Sequence, residues 1–491
     1  MVDGWLAGKR RAALAFGLGA IAALGQAPLG FWWATLAALA GLIWLLGLVP
    51  NLRGVFWTGL LAGAGHFALA LSWIVEPFLI DIARHGWIAP FAVLLLSFGL
   101  ALFWAGAAVL ASLTRTGPLG FVAAYMALEW LRGVVLTGFP WAMLGHVWIG
   151  TPVDQLAAIL GPSGLSFATL IAAALPVLWG VRGAAGSVML LAAVFGFGLW
   201  RLSQPLPEPV DITVRLVQPN AEQAAKWDRG LADQFLNRLL TLTAEAEPAD
   251  LTIWPETAVP YMLEYAPEVA DMVVQASGGN PVAMGIQREE GERFFNSLRV
   301  LEGAGTERAR YDKAHLVPFG EYMPFGDFAY DWFGIRAFAA QAGNTYSAGP
   351  GPQVLDLGPL GKVLPLICYE AIFPREVNAM PERADWMLQI TNDAWFGVWT
   401  GPFQHFAQAR LRAIEQGLPL VRVANTGVTA TVDARGRVVA EVPFGTMGKL
   451  DAQIPGALPP TPYSRWGDLP VFLLLAGLAV LALVGRREAS H

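Results

Sequence analysis

Long apolar runs follow one another along the first two hundred residues, at about 11–25, 28–48, 54–75, 88–113, 118–136, 157–179 and 184–201, and another covers 469–485. Each approaches the ~20 apolar residues that a helix needs to cross a bilayer. The pattern predicts seven helical crossings and a later return to the membrane. The first run lies behind Lys9, Arg10 and Arg11, a flank shared with cleaved signal peptides. Because further apolar runs follow at once, the reading adopted is a retained first span.

Between 208 and 455 the pattern shortens and alternates. DITVRLVQPN reads as a strand, and Trp227, Leu231, Phe235 and Leu239 recur at helical spacing in a segment ending near Ala249. LTIWPETA, PVAMGIQ, NSLRVLE and ERARYDK read as strands, with Val269 to Ala276 helical and a turn through Gly303 to Gly305. Further on come the strand VLPLI, interrupted by Pro365, then WMLQITND, a helix from about Phe403 to Gln416, and the strands LVRVAN and VTATVDARGRVVAEV turning at Gly436. Alternating strands and helices in one block predict a single layered α/β domain. The expected division is 1–203 membrane domain, 204–455 α/β domain, 456–468 a proline-rich connector, and 469–491 an eighth span with a short tail.

Composition agrees with a membrane protein carrying soluble mass: 55% of residues are hydrophobic, 14% are charged, and there are 20 Trp and 27 Phe. A net charge of -6 without a basic patch argues against a nucleic-acid partner. One cysteine permits no intrachain disulfide, and 6 scattered histidines argue against a protein-held metal. Lys9 to Arg11, Arg53, Arg115, Arg182, Arg486 and Arg487 fall on one side if seven spans precede the α/β block. Short-loop charge makes that side cytoplasmic and turns 202–468 outward; Arg84 and Arg132 are the counter-charges. Glu129, one turn before Arg132, reads as its partner or as a headgroup contact.

Cys368 follows the strand VLPLI, Glu256 follows LTIW, and Lys313 ends RARYDK. A thiol needs a base to become a nucleophile, and acyl transfer needs positive charge where the carbonyl oxygen becomes anionic. Taken singly these are a small buried hydrophobe, a solvated carboxylate and a surface charge. Together they supply nucleophile, base and cation at three strand exits.

WPETA (254–258), KAHLVPFGEYMPF (313–325) and CYEAIFP (368–374), followed by TNDAWFG (391–397), resemble the motifs of the nitrilase superfamily. With seven spans before that block and one after, the whole chain resembles the superfamily's membrane branch, the bacterial apolipoprotein N-acyltransferases. The resemblance implies a multi-pass α-helical membrane domain plus a nitrilase-like α-β-β-α sandwich. It also implies Glu256 as general base, Lys313 as stabiliser of the tetrahedral intermediate, Cys368 as acyl-accepting nucleophile and Glu321 as the carboxylate that orients the lysine. The Tyr369 backbone N–H is then an oxyanion donor, and Glu370 fixes the loop or is purely structural.

Trp395 and Phe396 either line an acyl pocket or close the membrane-facing edge of the domain. Residues Tyr322 to Phe338 suit a lid or ordinary loop packing, and Trp227 marks an entrance or, preferably, a buried helix stripe. Asn220 and Asn425 are polar residues at the sheet rim without an assigned role, and Gly343 and Gly349 read as mobile joints around the long insertion or, preferably, as ordinary turns. The implied reaction moves the sn-1 acyl chain of a phospholipid, typically phosphatidylethanolamine, to Cys368 and then to the N-terminal amine of a diacylated apolipoprotein. No cofactor or metal is implied, and the expected state is a monomer in the bacterial inner membrane with its catalytic domain in the periplasm. A membrane-tethered amidase and a non-enzymatic lipid-binding or transport scaffold are the competing classes.

Overall fold

All the apolar runs fold as helix in the computed structural model, which describes residues 8–223, 229–303, 305–324 and 345–488. The helices are Lys9–Ala23, Trp32–Gly47, Leu52–Ala70, Ala89–Thr114, Gly117–Arg132, Ala157–Ser203 and Leu469–Glu488. Ala157–Ser203 holds two of the runs. Its 47 residues leave helical backbone at Trp179 and Gly180, and Ser187 Oγ donates to Ala172 O at 2.7 Å. The segment is therefore an antiparallel hairpin; a single helix of that length would extend ~70 Å, twice the bilayer core.

By length and composition alone, two stretches among the described residues can cross a membrane, Ile82–Thr114 and Pro152–Ser203, and the bent pair Leu52–Ala70 with Ser72–Leu79 makes a third. Lys9–Ala23 and Gly117–Arg132 have 15 and 16 residues, which rise only ~22–24 Å.

Small residues set the helix packing. A Cβ on Gly19 would lie 1.8 Å from Ala62 O, and one on Gly63 would lie 2.8 Å from Ala101 Cα. These approaches bring the backbones together where dispersion is the main attraction between apolar helices. Glu129 and Arg132 are both buried and attract each other, and their hydrogen bonds go to loop backbone. Arg132 Nη1 donates to Phe139 O (2.6 Å) and Trp141 O (2.7 Å), and Glu129 Oε1 accepts from Leu144 N (3.0 Å). Irregular backbone among apolar helices needs polar partners, and these two side chains provide them.

The chain divides into two compact units: Met1–Pro205 with Phe396–Glu415 and Pro460–His491, and Leu206–Trp395 with Gln416–Pro459. Nearly all of the helix Gly401–Gln416, read from sequence as part of the soluble block, thus belongs with the membrane helices. Its Leu411 and Ile414 share a buried cluster with Val147, Trp148, Ala157 and Leu165.

The second unit holds strands β1 (Val210–Gln218), β2 (Leu251–Ile253), β3 (Val282–Glu290), β4 (Arg293–Glu302), β5 (Thr306–Asp312) and β6 (Leu355–Asp356). It continues with β7 (Lys362–Ile367), β8 (Trp386–Thr391), β9 (Leu420–Ala424), β10 (Thr429–Val432), β11 (Val438–Val442) and β12 (Gly448–Ile454). They form two six-stranded sheets, ordered β12-β1-β2-β3-β4-β5 and β11-β10-β9-β8-β7-β6. In each sheet three central strands run parallel, β1-β2-β3 and β7-β8-β9, with antiparallel strands outside them.

Helices Arg229–Ala244 and Pro267–Ala276 pack on the first sheet, where Leu236, Leu239 and Val273 meet Val217, Trp254, Met284 and Leu301. Strands β8 and β9 are buried at every position, so both faces of the second sheet are covered. This is the mixed α/β architecture expected of a nitrilase-like domain. Pro365 does not interrupt β7: β6 pairs only with Lys362 and Val363, so the proline lies beyond it.

Candidate active site

The parallel centres of the sheets send β2 and β7 out at their carboxyl ends, where open α/β sheets present ligand-binding groups. Glu256 lies three residues past β2, Cys368 directly follows β7, and Lys313 directly follows β5. Two of these exits turn through left-handed backbone: Thr257 has φ 47 and Cys368 φ 51. A non-glycine residue costs on the order of 1 kcal/mol or more in that region and persists only where its surroundings impose it.

Around Cys368 they do. Gln389 Nε2 donates to Cys368 O (3.1 Å), and Ile367 N donates to Glu370 Oε2 (2.7 Å). Behind Gln389, Arg422 bonds both Gln389 Oε1 and Asp393 Oδ2, an ion pair with neither side chain exposed.

Lys313 sits between two carboxylates. Its Nζ is 2.9 Å from Glu321 Oε1 and 3.5 Å from Glu256 Oε1. Glu256 Oε2 accepts from Asn392 N (2.8 Å), and Glu321 Oε2 accepts from Val317 N (2.9 Å), which folds the PFGEY loop over its own glutamate. All three side chains are buried. A close approach sets the position of Glu256, since a Cβ on Gly285 of β3 would lie 2.5 Å from Glu256 Cα.

Charge follows from this geometry. Burial works against the Lys313 ammonium, but Glu321 and Glu256 outweigh it and hold its pKa above the ordinary lysine range. Burial pushes the Cys368 thiol up, the Glu256 charge adds to that, and Lys313 opposes both. The resting group is therefore a neutral thiol beside a carboxylate and an ammonium. Such a set can deprotonate the thiol as it attacks and neutralise an oxyanion as it forms.

Glu370, two residues after Cys368, is buried. Its Oε1 accepts from Tyr311 Oη (2.6 Å), Ala314 N (2.7 Å) and His315 N (3.2 Å), so one carboxylate ties the end of β5 to the end of β7. The Tyr369 ring is buried against Phe373 and His315. Phe396 lies in the membrane unit, edge-on to Trp73 at 4.9 Å and Trp141 at 5.7 Å, while Trp395 is half-buried in the other unit. Trp227, Gly343 and the stretch from Phe325 to Phe338 lie outside the described residues.

Sequence reasoning missed several polar residues. Asn296, on β4, donates from Nδ2 to Glu256 Oε1 (2.7 Å) and to Glu321 Oε1 (3.0 Å). Its only signal was an amide within the strand FFNSLRVL, which also carries Ser297 and Arg299. Asn392 joins Glu256 to Asn425, whose Nδ2 donates to Asn392 Oδ1 (2.9 Å) and Ala221 O (2.8 Å). Asn220 N donates to Asn425 O (3.1 Å), so both rim asparagines enter the network behind Glu256.

Comparison with known proteins agrees with this arrangement. The carbon-nitrogen hydrolase family matches residues 213–463, and the apolipoprotein N-acyltransferase N-terminal domain matches 18–175. The chain is 41% identical to the apolipoprotein N-acyltransferase of Caulobacter vibrioides, over 94% of this chain and 92% of that one. It is 38% identical to that of Allorhizobium ampelinum over 98% of both chains, and 38% identical to that of Rhizobium leguminosarum over 98% and 96%. The chain belongs to the apolipoprotein N-acyltransferase family, the multi-pass inner-membrane branch of the carbon-nitrogen hydrolases whose hydrolase-like domain faces the periplasm.

Proposed function

We propose that the apolipoprotein N-acyltransferase activity of this chain runs through a thioester on Cys368. The Cys368 sulfur attacks the sn-1 ester carbonyl of a phospholipid, typically phosphatidylethanolamine, and its proton passes to Glu256. Lys313 and the Tyr369 backbone N–H meet the oxyanion. The intermediate collapses, the lysophospholipid alkoxide leaves with the proton from Glu256, and the acyl chain stays on sulfur. The free N-terminal amine of a diacylated apolipoprotein then attacks the thioester and gives its proton to Glu256. The thiolate departs, recovers that proton, and leaves an amide behind. Glu321 holds Lys313 in place, and Glu370 holds the two strand ends together. Trp395 is kept as a wall of the acyl site.

The observation that carries this reading is the buried cluster of Glu256, Lys313 and Glu321, of which Glu256 and Lys313 act electrostatically on the chain's single cysteine. Neither a scaffold nor a transporter has a use for it. Intact-protein mass spectrometry after incubation with phosphatidylethanolamine tests the reading. Wild type should gain one fatty-acyl mass and Cys368→Ala none, and a diacylated lipopeptide should discharge the adduct as it becomes N-acylated. Discharge by water alone would indicate a hydrolase, and no adduct on folded, lipid-bound protein would remove Cys368 from the role.

A further inference from the structure

We infer that Asn296 is a positioning residue for this reaction, holding Glu256 and Glu321 apart and charged so that Lys313 remains available to the oxyanion. This rests on the reading of Glu256 as the base. Among the described residues, the only side chains with hydrogen bonds to both carboxylates are Asn296 and Lys313. Lys313 leans toward Glu321, at 2.9 Å against 3.5 Å, and Asn296 leans toward Glu256, at 2.7 Å against 3.0 Å. The closer side-chain donor to the base is thus the neutral amide. An amide NH2 carries two hydrogens, and both are spent here.

The orientation of that amide is imposed by its neighbours. Turning it over would aim a carbonyl oxygen at two carboxylates, so Nδ2 faces them and Oδ1 is left buried without a hydrogen-bond partner among the described residues. An unsatisfied buried acceptor is tolerated where another demand dominates. The same residue also fixes the cation, because Lys313 N donates to Asn296 O at 2.8 Å. A second lysine in place of Asn296 would compete for the charge that the oxyanion needs, whereas an amide supports both carboxylates at any pH. The charged and titratable groups facing this pair are Lys313, Cys368 and Tyr346; Asp393 acts on Cys368, and Lys313 on Glu370.

The test is the pH profile of acyl-enzyme formation in a single turnover, followed by intact mass in full-length protein with phosphatidylethanolamine. Asn296→Asp keeps the shape but exchanges the donors for a third carboxylate; Asn296→Ala removes the donors alone. Asn296→Asp sets a third negative charge beside the reacting groups, and Asn296→Ala takes one hydrogen bond from each carboxylate. The acidic limb should move to higher pH by about one unit or more in Asn296→Asp and by less in Asn296→Ala. The rate at neutral pH should fall at least ~10-fold with little change in phospholipid KM.

If either variant stays folded, as judged by its thermal transition, and its profile superimposes on that of wild type after scaling, Asn296 is only structural and the inference fails. Loss of folding in both variants would likewise make the residue structural and overturn it. Absence of any adduct on wild type would instead overturn the thioester reading, so the two failures are distinguishable.

Discussion

Cys368 is held at φ 51 with its thiol buried and within the field of Glu256, and both features bear on reactivity. Burial and the neighbouring negative charge disfavour the thiolate, so the anion forms only above the pH at which a free cysteine ionises, about 8.5. The rate of alkylation by iodoacetamide should therefore be very low at pH 7 and still be rising beyond pH 9. A plateau near pH 8.5 would show that the thiol is unperturbed. Glu256→Gln removes the opposing charge and should raise the alkylation rate at a given pH while abolishing acyl transfer. Lys313→Ala leaves two buried carboxylates uncompensated. The single-turnover rate should then fall on the order of 10²–10³-fold, as when an oxyanion donor is lost, and an unchanged rate would remove Lys313 from the chemistry.

At the scale of elements, the site depends on strands reaching the rim in register. β7 and β8 pair in parallel from Val363↔Trp386 to Ile367↔Ile390, which sets Cys368 beside the exit of β8 with Asn392 and Asp393. β3 contributes through an absence of side chain at Gly285, because the Glu256 loop packs where a Cβ would stand. Gly285→Ala should displace that loop, lower acyl-enzyme formation and destabilise the protein by about 1–3 kcal/mol, as overpacking does. A variant with wild-type activity and an unchanged thermal transition would show that the contact is slack.

At the scale of the molecule, the single native cysteine makes topology directly measurable. Cys368→Ala is free of cysteine, so one thiol can be introduced at a time. Arg115→Cys and Arg182→Cys should resist a membrane-impermeant maleimide in spheroplasts, and Val439→Cys, on exposed β11, should react. The reverse pattern would invert the assignment of sides. The helix Gly401–Gln416 matters at this scale as well: its Trp141 Nε1–Gln404 Oε1 bond (2.7 Å) and the Leu411 and Ile414 contacts join a segment from the middle of the α/β sequence to the membrane unit.

The sequence by itself determined the apolar runs, most of the strands, and the placement of Glu256, Lys313 and Cys368 at strand ends. These are local properties: hydrophobic period, turn residues and motif spacing act over a few positions. It also carried the family, because the three motifs are contiguous. Only the tertiary structure decided what depends on partners far away in sequence.

β12 was missed because GKLDAQI alternates weakly and becomes a strand by pairing with β1, more than two hundred residues earlier. Phe396 and the 401–416 helix joined the membrane helices because of the aromatic and aliphatic surfaces waiting there. Glu129 and Arg132, one turn apart, attract each other and in addition hydrogen-bond loop backbone brought to them by the fold, which supplies peptide groups among apolar helices with polar partners. Asn296, on a strand that also carries Ser297 and Arg299, has no local feature that singles it out; the fold brings two carboxylates to its amide.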